Sequence, residues 1–209
     1  MKAKDGTAAF WSARAKQYDR RFSELPAAYR DMLSRCKARL KQTDVLLDLG
    51  CGTGQAACLL AKNVQSVQAC DQAPGMLDIA SAHAREMELP NIAFSRQDAS
   101  KLDFPDAFFD AALALAVLHL LKHPELAMAE LRRVVKPGGL LFLSAYLAGQ
   151  SVLSRAGNAL MSLNGYRDEQ LWDTAGFISF VKGQGFDILD SVTYPMFPIP
   201  IQFLICQSR

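Results

Sequence analysis

Short apolar runs alternate with amphipathic stretches along most of the chain. Apolar runs bounded by glycine or polar residues predict five strands, at residues 45–49, 64–70, 92–96, 109–114 and 140–144. Apolar residues at helical spacing predict helices between them, at residues 55–63, 74–87 and 124–135. Because continuous apolar strands separated by helices are typical of βαβ crossovers, this pattern predicts a parallel sheet covered on both faces.

At the two ends of the chain, the predicted strands and helices do not alternate regularly. Ahead of the first strand, the pattern predicts helices at residues 7–23 and 26–41. After residue 145, it predicts helices at 151–163 and 168–184, then two closing strands at 186–194 and 201–207 joined by a proline-rich loop.

Composition places the chain among globular proteins. Its 209 residues are 50% apolar and 21% charged, which excludes a disordered or coiled-coil chain. No apolar run approaches the roughly 20 residues of a spanning helix, and no apolar stretch follows the N-terminus as in a signal peptide. The five cysteines form no C-x-x-C pair, so we expect buried thiols, a reducing compartment and a cytoplasmic location.

Charge is divided unevenly along the chain. Residues 1–42 carry 11 Lys and Arg against 4 Asp and Glu, a net of +7, whereas residues 43–209 have a net of −5. The basic segment could meet an acidic partner or an anionic surface, or it could be a solvated helix face.

The stretch with most chemical content is Asp48-Leu49-Gly50-Cys51-Gly52-Thr53-Gly54, at the junction of the first strand and the next helix. Ligands of open parallel sheets bind beyond the carboxyl ends of the strands, and glycines there let a ligand approach the backbone. The spacing is G-x-G-x-G rather than the dinucleotide pattern G-x-G-x-x-G, and Gln55 stands where a phosphate loop would have lysine.

Two carboxylates follow at the same edge of the predicted sheet. Asp71 closes the second strand, 17 residues after Gly54, where it could accept hydrogen bonds from two ribose hydroxyls. Asp98 follows the third strand and could reach an adenine amine. The alternatives are that Asp71 caps a helix and Asp98 caps a turn through Ser100.

This constellation resembles the class I S-adenosylmethionine-dependent methyltransferases of the quinone and sterol type. The resemblance covers roughly residues 10–145 and rests on four motifs in order: Asp48 to Gly54, Asp71, Gln97-Asp98-Ala99 and Lys136-Pro137-Gly138-Gly139. It implies an α/β fold with a Rossmann-like, doubly wound, mostly parallel seven-stranded sheet and an antiparallel last strand. It also implies one domain over residues 1–209, divided into a helical lid (1–42), a cofactor core (43–145) and acceptor-side elements (146–209).

The resemblance implies S-adenosylmethionine as cofactor and a role for each matching position. Asp71 would bind the ribose, Met76 would pack on the adenine, and Asp98 with Ala99 would bind the adenine edge. The methionine portion would lie against the glycine turn, Leu115 and an N-terminal tyrosine. The expected cofactor residues are Tyr18, Asp48, Gly50, Cys51, Gly52, Asp71, Gln72, Met76, Asp98, Ala99 and Leu115. For Met76, Tyr18 and Trp11 the alternative is ordinary packing.

Methyl transfer from a sulfonium is an in-line displacement, which needs a general base only if the acceptor loses a proton. His119, just past the fourth strand, and Tyr146, just past the fifth, are the candidate catalytic residues, ahead of Tyr166 and Asp168. For His119 the alternative is packing. No histidine has a partner at metal-ligand spacing, so we expect no metal.

The expected acceptor is a small molecule. Residues 114–117 read Ala-Leu-Ala-Val and lack the Asn/Asp-Pro-Pro-Tyr motif of enzymes that methylate exocyclic or amide nitrogens. Apolar residues of 145–166 and 194–200 predict a lipophilic or aromatic acceptor, with peripheral membrane contact as one source and no nucleic-acid role. Alternatively, these residues pack onto the sheet, and the chain is a non-catalytic S-adenosylmethionine-binding sensor or partner subunit.

Overall fold

A seven-stranded sheet with helices on both faces organises the computed structural model, which describes residues 8–21, 25–166 and 168–208. The strands are β1 (Val45–Leu49), β2 (Ser66–Asp71), β3 (Ile92–Arg96), β4 (Phe109–Leu115), β5 (Val135–Tyr146), β6 (Phe186–Tyr194) and β7 (Ile201–Ser208). The helices are α1 (Ala8–Arg21), α2 (Ala27–Lys37), α3 (Gln55–Leu60), α4 (Pro74–Glu86), α5 (Pro124–Val134), α6 (Val152–Ser162) and α7 (Thr174–Gly183).

The strand order is β3-β2-β1-β4-β5-β7-β6. β1 pairs in parallel with both β2 and β4, and β5 continues the parallel part, whereas β7 runs antiparallel to β5 and β6. The predicted mostly parallel sheet with an antiparallel last strand is therefore confirmed. The strand order reverses at β1, which creates a crevice beyond the carboxyl ends of β1 and β4.

The central strands β1 and β4 are buried on both faces, which explains their nearly continuous apolar runs. In β1, Leu47 packs in the core cluster that contains Leu131 of α5 and Phe177 of α7. Leu46 points to the opposite face and packs in the cluster that contains Met32 of α2 and Ala57 of α3. Neither side of β1 can therefore carry a solvated residue.

The helix predicted from residue 168 begins only at Thr174. Asp173 is its N-cap, and its carboxylate accepts a 2.7 Å hydrogen bond from the Gly176 N–H. The preceding residues are held outside a helix because the N–H groups of Glu169 and Gln170 donate to the His119 carbonyl, at 2.9 and 3.0 Å. This tertiary pairing places residues 168–172 beside the end of β4.

Helix α1 packs along α4, from its first turn to its last. The Gly75 N–H lies 3.2 Å from the Ser12 Oγ, and a Cβ at Gly75 would lie 2.7 Å from the Ser12 carbonyl oxygen. His83 of α4 adds a contact, with its Nε2 3.4 Å from the Asp19 Oδ2. These contacts set α1 over the crevice; residues 7, 22 and 23 of the predicted first helix lie outside the described residues.

Candidate functional site

A groove opens at the carboxyl edge of the sheet, between the ends of β1, β2 and β4 and beneath α1. Nine of the eleven expected cofactor residues line it: Tyr18, Gly50, Gly52, Asp71, Gln72, Met76, Asp98, Ala99 and Leu115. The sequence motifs, which are spread over nearly 100 residues, thus meet around one cavity because parallel strands bring their carboxyl ends to one edge.

The glycine turn forms the floor of this groove. Gly50 has φ +70°, and a Cβ there would lie 2.5 Å from the Val117 Cγ2. Gly52 has φ +54°, and a Cβ there would meet only the Tyr18 Cε1 within 4 Å, at 3.8 Å. Left-handed backbone favours glycine at both positions, and at Gly52 the missing side chain leaves open space facing the groove.

The Asp71 carboxylate ties the glycine turn to the start of α4. Its Oδ2 accepts a 2.9 Å hydrogen bond from the Gly52 N–H, and its Oδ1 accepts a 2.8 Å bond from the Ala73 N–H. Burial raises the pKa of Asp71, and these backbone donors oppose that rise. A carboxylate oxygen has lone pairs beyond a single bond, so Asp71 can accept further hydrogen bonds from a ligand in the groove.

Asp98 lines the groove from the end of β3 and also stabilises its own turn. Its Oδ1 accepts hydrogen bonds from the Ser100 N–H and the Ser100 hydroxyl, at 2.9 and 2.8 Å. These bonds lower the pKa of Asp98, which is therefore an acceptor at neutral pH. The turn-cap alternative is thus correct for Asp98, but it does not remove the residue from the groove wall.

Aromatic side chains of α1 and the thioether of Met76 in α4 form one wall of the groove. Met76 is buried with Ala15 and Ala73, and Trp11 and Tyr18 of α1 pack against this cluster. The Trp11 and Tyr18 rings meet edge to face, with centroids 6.0 Å apart. Helix α1 thereby adds an aromatic surface to a groove whose floor is backbone.

Asp48 and Cys51 lie behind the groove wall rather than in it. Burial, with a smaller effect of the Asp71 charge, raises the pKa of Asp48 to about 7. Its Oδ2 has no hydrogen-bond partner among the described residues. The Cys51 N–H donates to the Cys70 carbonyl at 3.0 Å, and its thiol lies 3.7 Å from the Gly52 carbonyl oxygen. Both residues support the shape of the turn.

The four candidate catalytic residues converge on one buried polar cluster. The His119 Nε2 lies 3.2 Å from the Tyr166 hydroxyl oxygen and 3.5 Å from the Asp168 Oδ1. The His119 ring meets the Tyr146 ring edge to face at 5.3 Å. Tyr166 in turn contacts Trp11, with ring centroids 6.0 Å apart, so the cluster abuts the groove through an aromatic residue of α1.

Burial controls the protonation of this polar cluster. It lowers the pKa of His119 to about 3, so the imidazole is neutral at pH 7. It raises the pKa of Asp168 to about 6, although the Tyr166 hydroxyl opposes the rise. The His119 Nδ1 and both Asp168 oxygens lack a hydrogen bond of good geometry within the described part of the chain. His119 is fully buried and does not line the groove.

The segment after β4 supplies groove residues that sequence reasoning missed. Ala116, Val117, Leu120 and Leu121 all line the groove. Ala116 has φ +54°, and its N–H donates to the Ser144 carbonyl at 3.0 Å. Alanine gives no sequence sign of a left-handed turn, so only the tertiary structure reveals this bend.

No group of three His, Cys, Asp or Glu side chains in residues 8–21, 25–166 and 168–208 could hold a metal ion. No helix in these ranges is both long and apolar enough to cross a membrane.

Comparison with known proteins adds a family match. Residues 47–143 match the family model described as a methyltransferase domain. The malonyl-[acyl-carrier protein] O-methyltransferase of Serratia marcescens is 34% identical over 122 residues, which are 58% of this chain and 45% of that protein. The ubiquinone/menaquinone biosynthesis C-methyltransferase UbiE of Zymomonas mobilis is 32% identical over 102 residues, 49% of this chain and 42% of that protein.

The chain therefore spans less than half the length of these two curated relatives. Its fold is matched more completely by the crystal structure of the YcgJ protein from Bacillus subtilis, with a TM-score of 0.76 and 17% identity. That match covers 86% of this chain and 99% of the YcgJ chain. The structural likeness supports the fold, and the sequence match supports the family.

Proposed function

Because residues 47–143 match a methyltransferase-domain model and resemble two curated methyltransferases, we propose that this chain is a class I S-adenosylmethionine-dependent methyltransferase that transfers a methyl group to a small-molecule acceptor. The observation that carries the proposal is the groove itself. The Asp71 carboxylate, the open backbone at Gly52 and the edge formed by Asp98 and Ala99 lie around one cavity at the strand reversal.

The residues of the groove fit the parts of S-adenosylmethionine. Asp71 accepts hydrogen bonds from the ribose hydroxyls while it continues to bind the Gly52 N–H. Met76 packs against the adenine, and Asp98 with the Ala99 N–H recognises its polar edge. Gly50, Gly52, Tyr18 and Leu115 surround the methionine portion, with Gln72 beside the ribose. Asp48 and Cys51 act on the cofactor only through the conformation of the turn.

When bound, S-adenosylmethionine supplies a sulfonium whose methyl group is already activated for in-line displacement. The protein residues align the acceptor and exclude water, which can contribute roughly 7–11 kcal/mol to lowering the barrier. Trp11 and Tyr18 close the groove from above, and the residues after β4 close its side. No covalent enzyme intermediate is required.

The polar cluster at His119 serves the acceptor end. A neutral imidazole with a pKa of about 3 is a weak proton acceptor, and His119 is enclosed by protein. We therefore assign His119 a positioning role: its Nε2 holds the Tyr166 hydroxyl, and the Tyr166 ring contacts Trp11 of the groove. Asp168 is as enclosed as His119, so the cluster acts on the acceptor through Tyr166 and Trp11.

A lipophilic or aromatic acceptor suits the walls of the groove. Trp11, Leu115, Val117, Leu120 and Leu121 give an apolar lining, with few charged groups beyond the ribose site. Two relatives act, by name, on malonyl-[acyl-carrier protein] and in ubiquinone and menaquinone biosynthesis. From these names we infer for this chain only that its acceptor is a small molecule with a carbonyl group or a ring and an apolar body.

The test has a binding stage and a turnover stage. Calorimetry should show S-adenosylhomocysteine binding at one site per chain and no binding of NAD. The purified chain with S-adenosylmethionine and a metabolite extract should then give a product heavier by one methyl group. Binding without any methylated product would favour the sensor or partner-subunit alternative, and binding of NAD alone would contradict the family assignment at this groove.

The positioning role of His119 is tested once an acceptor is identified. His119→Ala should lower turnover about tenfold and shift the pH profile of kcat, with unchanged S-adenosylhomocysteine affinity. A loss of roughly 10²–10⁴-fold would instead make His119 the general base, and a loss below about fivefold would leave only packing. Tyr194→Phe is the matched control, because the Tyr194 hydroxyl donates to Asp31 away from the groove.

A further inference from the structure

Helix α6 presents an apolar face to solvent. Val152, Leu160 and Leu163 are 85%, 66% and 80% exposed, and Leu153 is 54% exposed. At 100° per residue these positions fall on one side of the helix, together with Ala156. We call the surface of Val152, Leu153, Ala156, Leu160 and Leu163 the α6 apolar face. The alternative that these side chains pack onto the sheet is wrong for α6, although Leu147 just before it is buried.

The opposite side of α6 fixes its orientation. Within residues 152–162, the buried residue is Ser154, and a Cβ at Gly157 would lie 2.5 Å from the Pro198 Cγ. The loop after β6 therefore packs closely on this side of the helix. It places Phe197, which is 86% exposed, beside α6, so the exposed apolar surface extends beyond one helix.

A contiguous apolar surface of this kind marks an interaction site, whereas isolated exposed leucines need no explanation. Its flanking charges favour one kind of partner. Helix α6 contains Arg155 and no acidic residue. Arg14 of α1 donates to the Asn164 carbonyl at the C-terminal end of α6, and Lys16 and Arg20 of α1 are exposed.

We propose that the α6 apolar face and Phe197 dock on an anionic lipid surface. An amphipathic helix buries its apolar side at the acyl boundary, while adjacent basic residues bind anionic headgroups. Helix α1 contains four basic residues and one acidic residue, a net of +3, and supplies the complementary field. A second copy of the chain on the same face would instead bring two basic segments together.

Docking in this way also orients the groove. Helix α6 follows β5, and the Phe197 loop follows β6, so both leave the sheet at the carboxyl edge where the groove opens. An apolar acceptor could then reach the groove from the lipid phase. This consequence for the acceptor rests on the proposed function, whereas docking itself does not.

The experiment is co-sedimentation of the full chain with vesicles. We expect binding to vesicles of phosphatidylcholine and phosphatidylglycerol in equal parts, and about tenfold weaker binding to phosphatidylcholine alone. The double change Leu160→Gln and Leu163→Gln should reduce binding to the anionic vesicles at least tenfold, because each buried leucine contributes about a factor of ten. Leu59→Gln should leave vesicle binding unchanged, since this leucine, 45% exposed, lies in the last turn of α3, towards the opposite edge of the sheet.

Two results overturn the proposal: no binding of the unaltered chain to anionic vesicles, or full binding by the Leu160/Leu163 variant. A dimer seen by analytical ultracentrifugation and lost in that variant, without vesicle binding, would assign the face to a second copy and also overturn it. Unchanged S-adenosylhomocysteine affinity shows that the variant is folded. Loss of vesicle binding is thereby kept separate from any failure of the proposed function.

Discussion

Replacement of Asp71 by alanine should weaken cofactor binding and also loosen the glycine turn. The carboxylate accepts two backbone hydrogen bonds in the structure, from Gly52 and Ala73. If each orphaned N–H costs about 1–2 kcal/mol, the variant loses roughly 2–4 kcal/mol of stability, less the relief of a buried charge. For a chain of this length that corresponds to a fall in Tm of about 4–16 °C.

The same substitution should also weaken the binding of S-adenosylhomocysteine. Two charge-assisted hydrogen bonds to ribose hydroxyls contribute on the order of 1.5 kcal/mol each at the low end, so affinity should fall about 100-fold. Calorimetric titration with S-adenosylhomocysteine, below the Tm of the variant, measures this directly. Asp78→Ala is the control, because Asp78 is an exposed carboxylate on α4 outside the groove. Equal affinities for Asp71→Ala and the unaltered chain would refute the ribose assignment.

Two further predictions concern the turn and its surroundings. Gly50→Ala should lower the free energy of unfolding by about 1–3 kcal/mol, because the backbone there has φ +70° and the new Cβ would lie 2.5 Å from Val117. The control is Gly183→Ala, whose Cβ would meet nothing within 4 Å and which should leave the Tm unchanged or raise it. The pKa of Asp48 is about 7 in the folded chain, above its ordinary value. The protonated carboxyl therefore favours the folded state. This contribution to stability is complete below about pH 4 and is lost as the pH rises through 7. In urea unfolding, Asp48→Asn should therefore gain about 2–4 kcal/mol of stability over the unaltered chain between pH 4 and pH 7. The neighbouring titratable groups are Asp71, Tyr29, Cys36, Cys51, Cys58 and Cys70. A pH-independent difference would show that the pKa of Asp48 is not shifted.

The sheet could be predicted from sequence because its strands are bounded apolar runs. Strands β1, β3 and β6 begin and end at the predicted residues. Burial on both faces leaves β1 apolar except for Asp48, and glycine follows the strand directly. Helix α7 was predicted too long, because hydrogen bonds to the His119 carbonyl hold residues 169 and 170 in another conformation. Local pattern contains no information about such a distant acceptor.

Motif order predicted which residues meet at the groove but not how deeply each of them is buried. Motif spacing brought Asp71, Asp98 and the glycine turn to one edge, since that edge follows from parallel topology. Motif spacing did not indicate that Asp48 lies behind the groove wall or that His119 is enclosed. Apolar neighbours in the sequence indicate that a residue is buried, but not whether it faces the groove. Likewise, the sequence showed apolar residues within 145–166 but not whether protein covers them.

The most direct test of the account is a crystal structure of the chain with bound S-adenosylhomocysteine. It should show the ribose hydroxyls within hydrogen-bond distance of the Asp71 carboxylate and the adenine between Met76 and Ala99. The sulfur should point toward Leu115 and Tyr18, on the side of the His119 cluster. A ligand bound elsewhere, or bound in this groove without contact to Asp71, would contradict the central claim that this groove is the cofactor site.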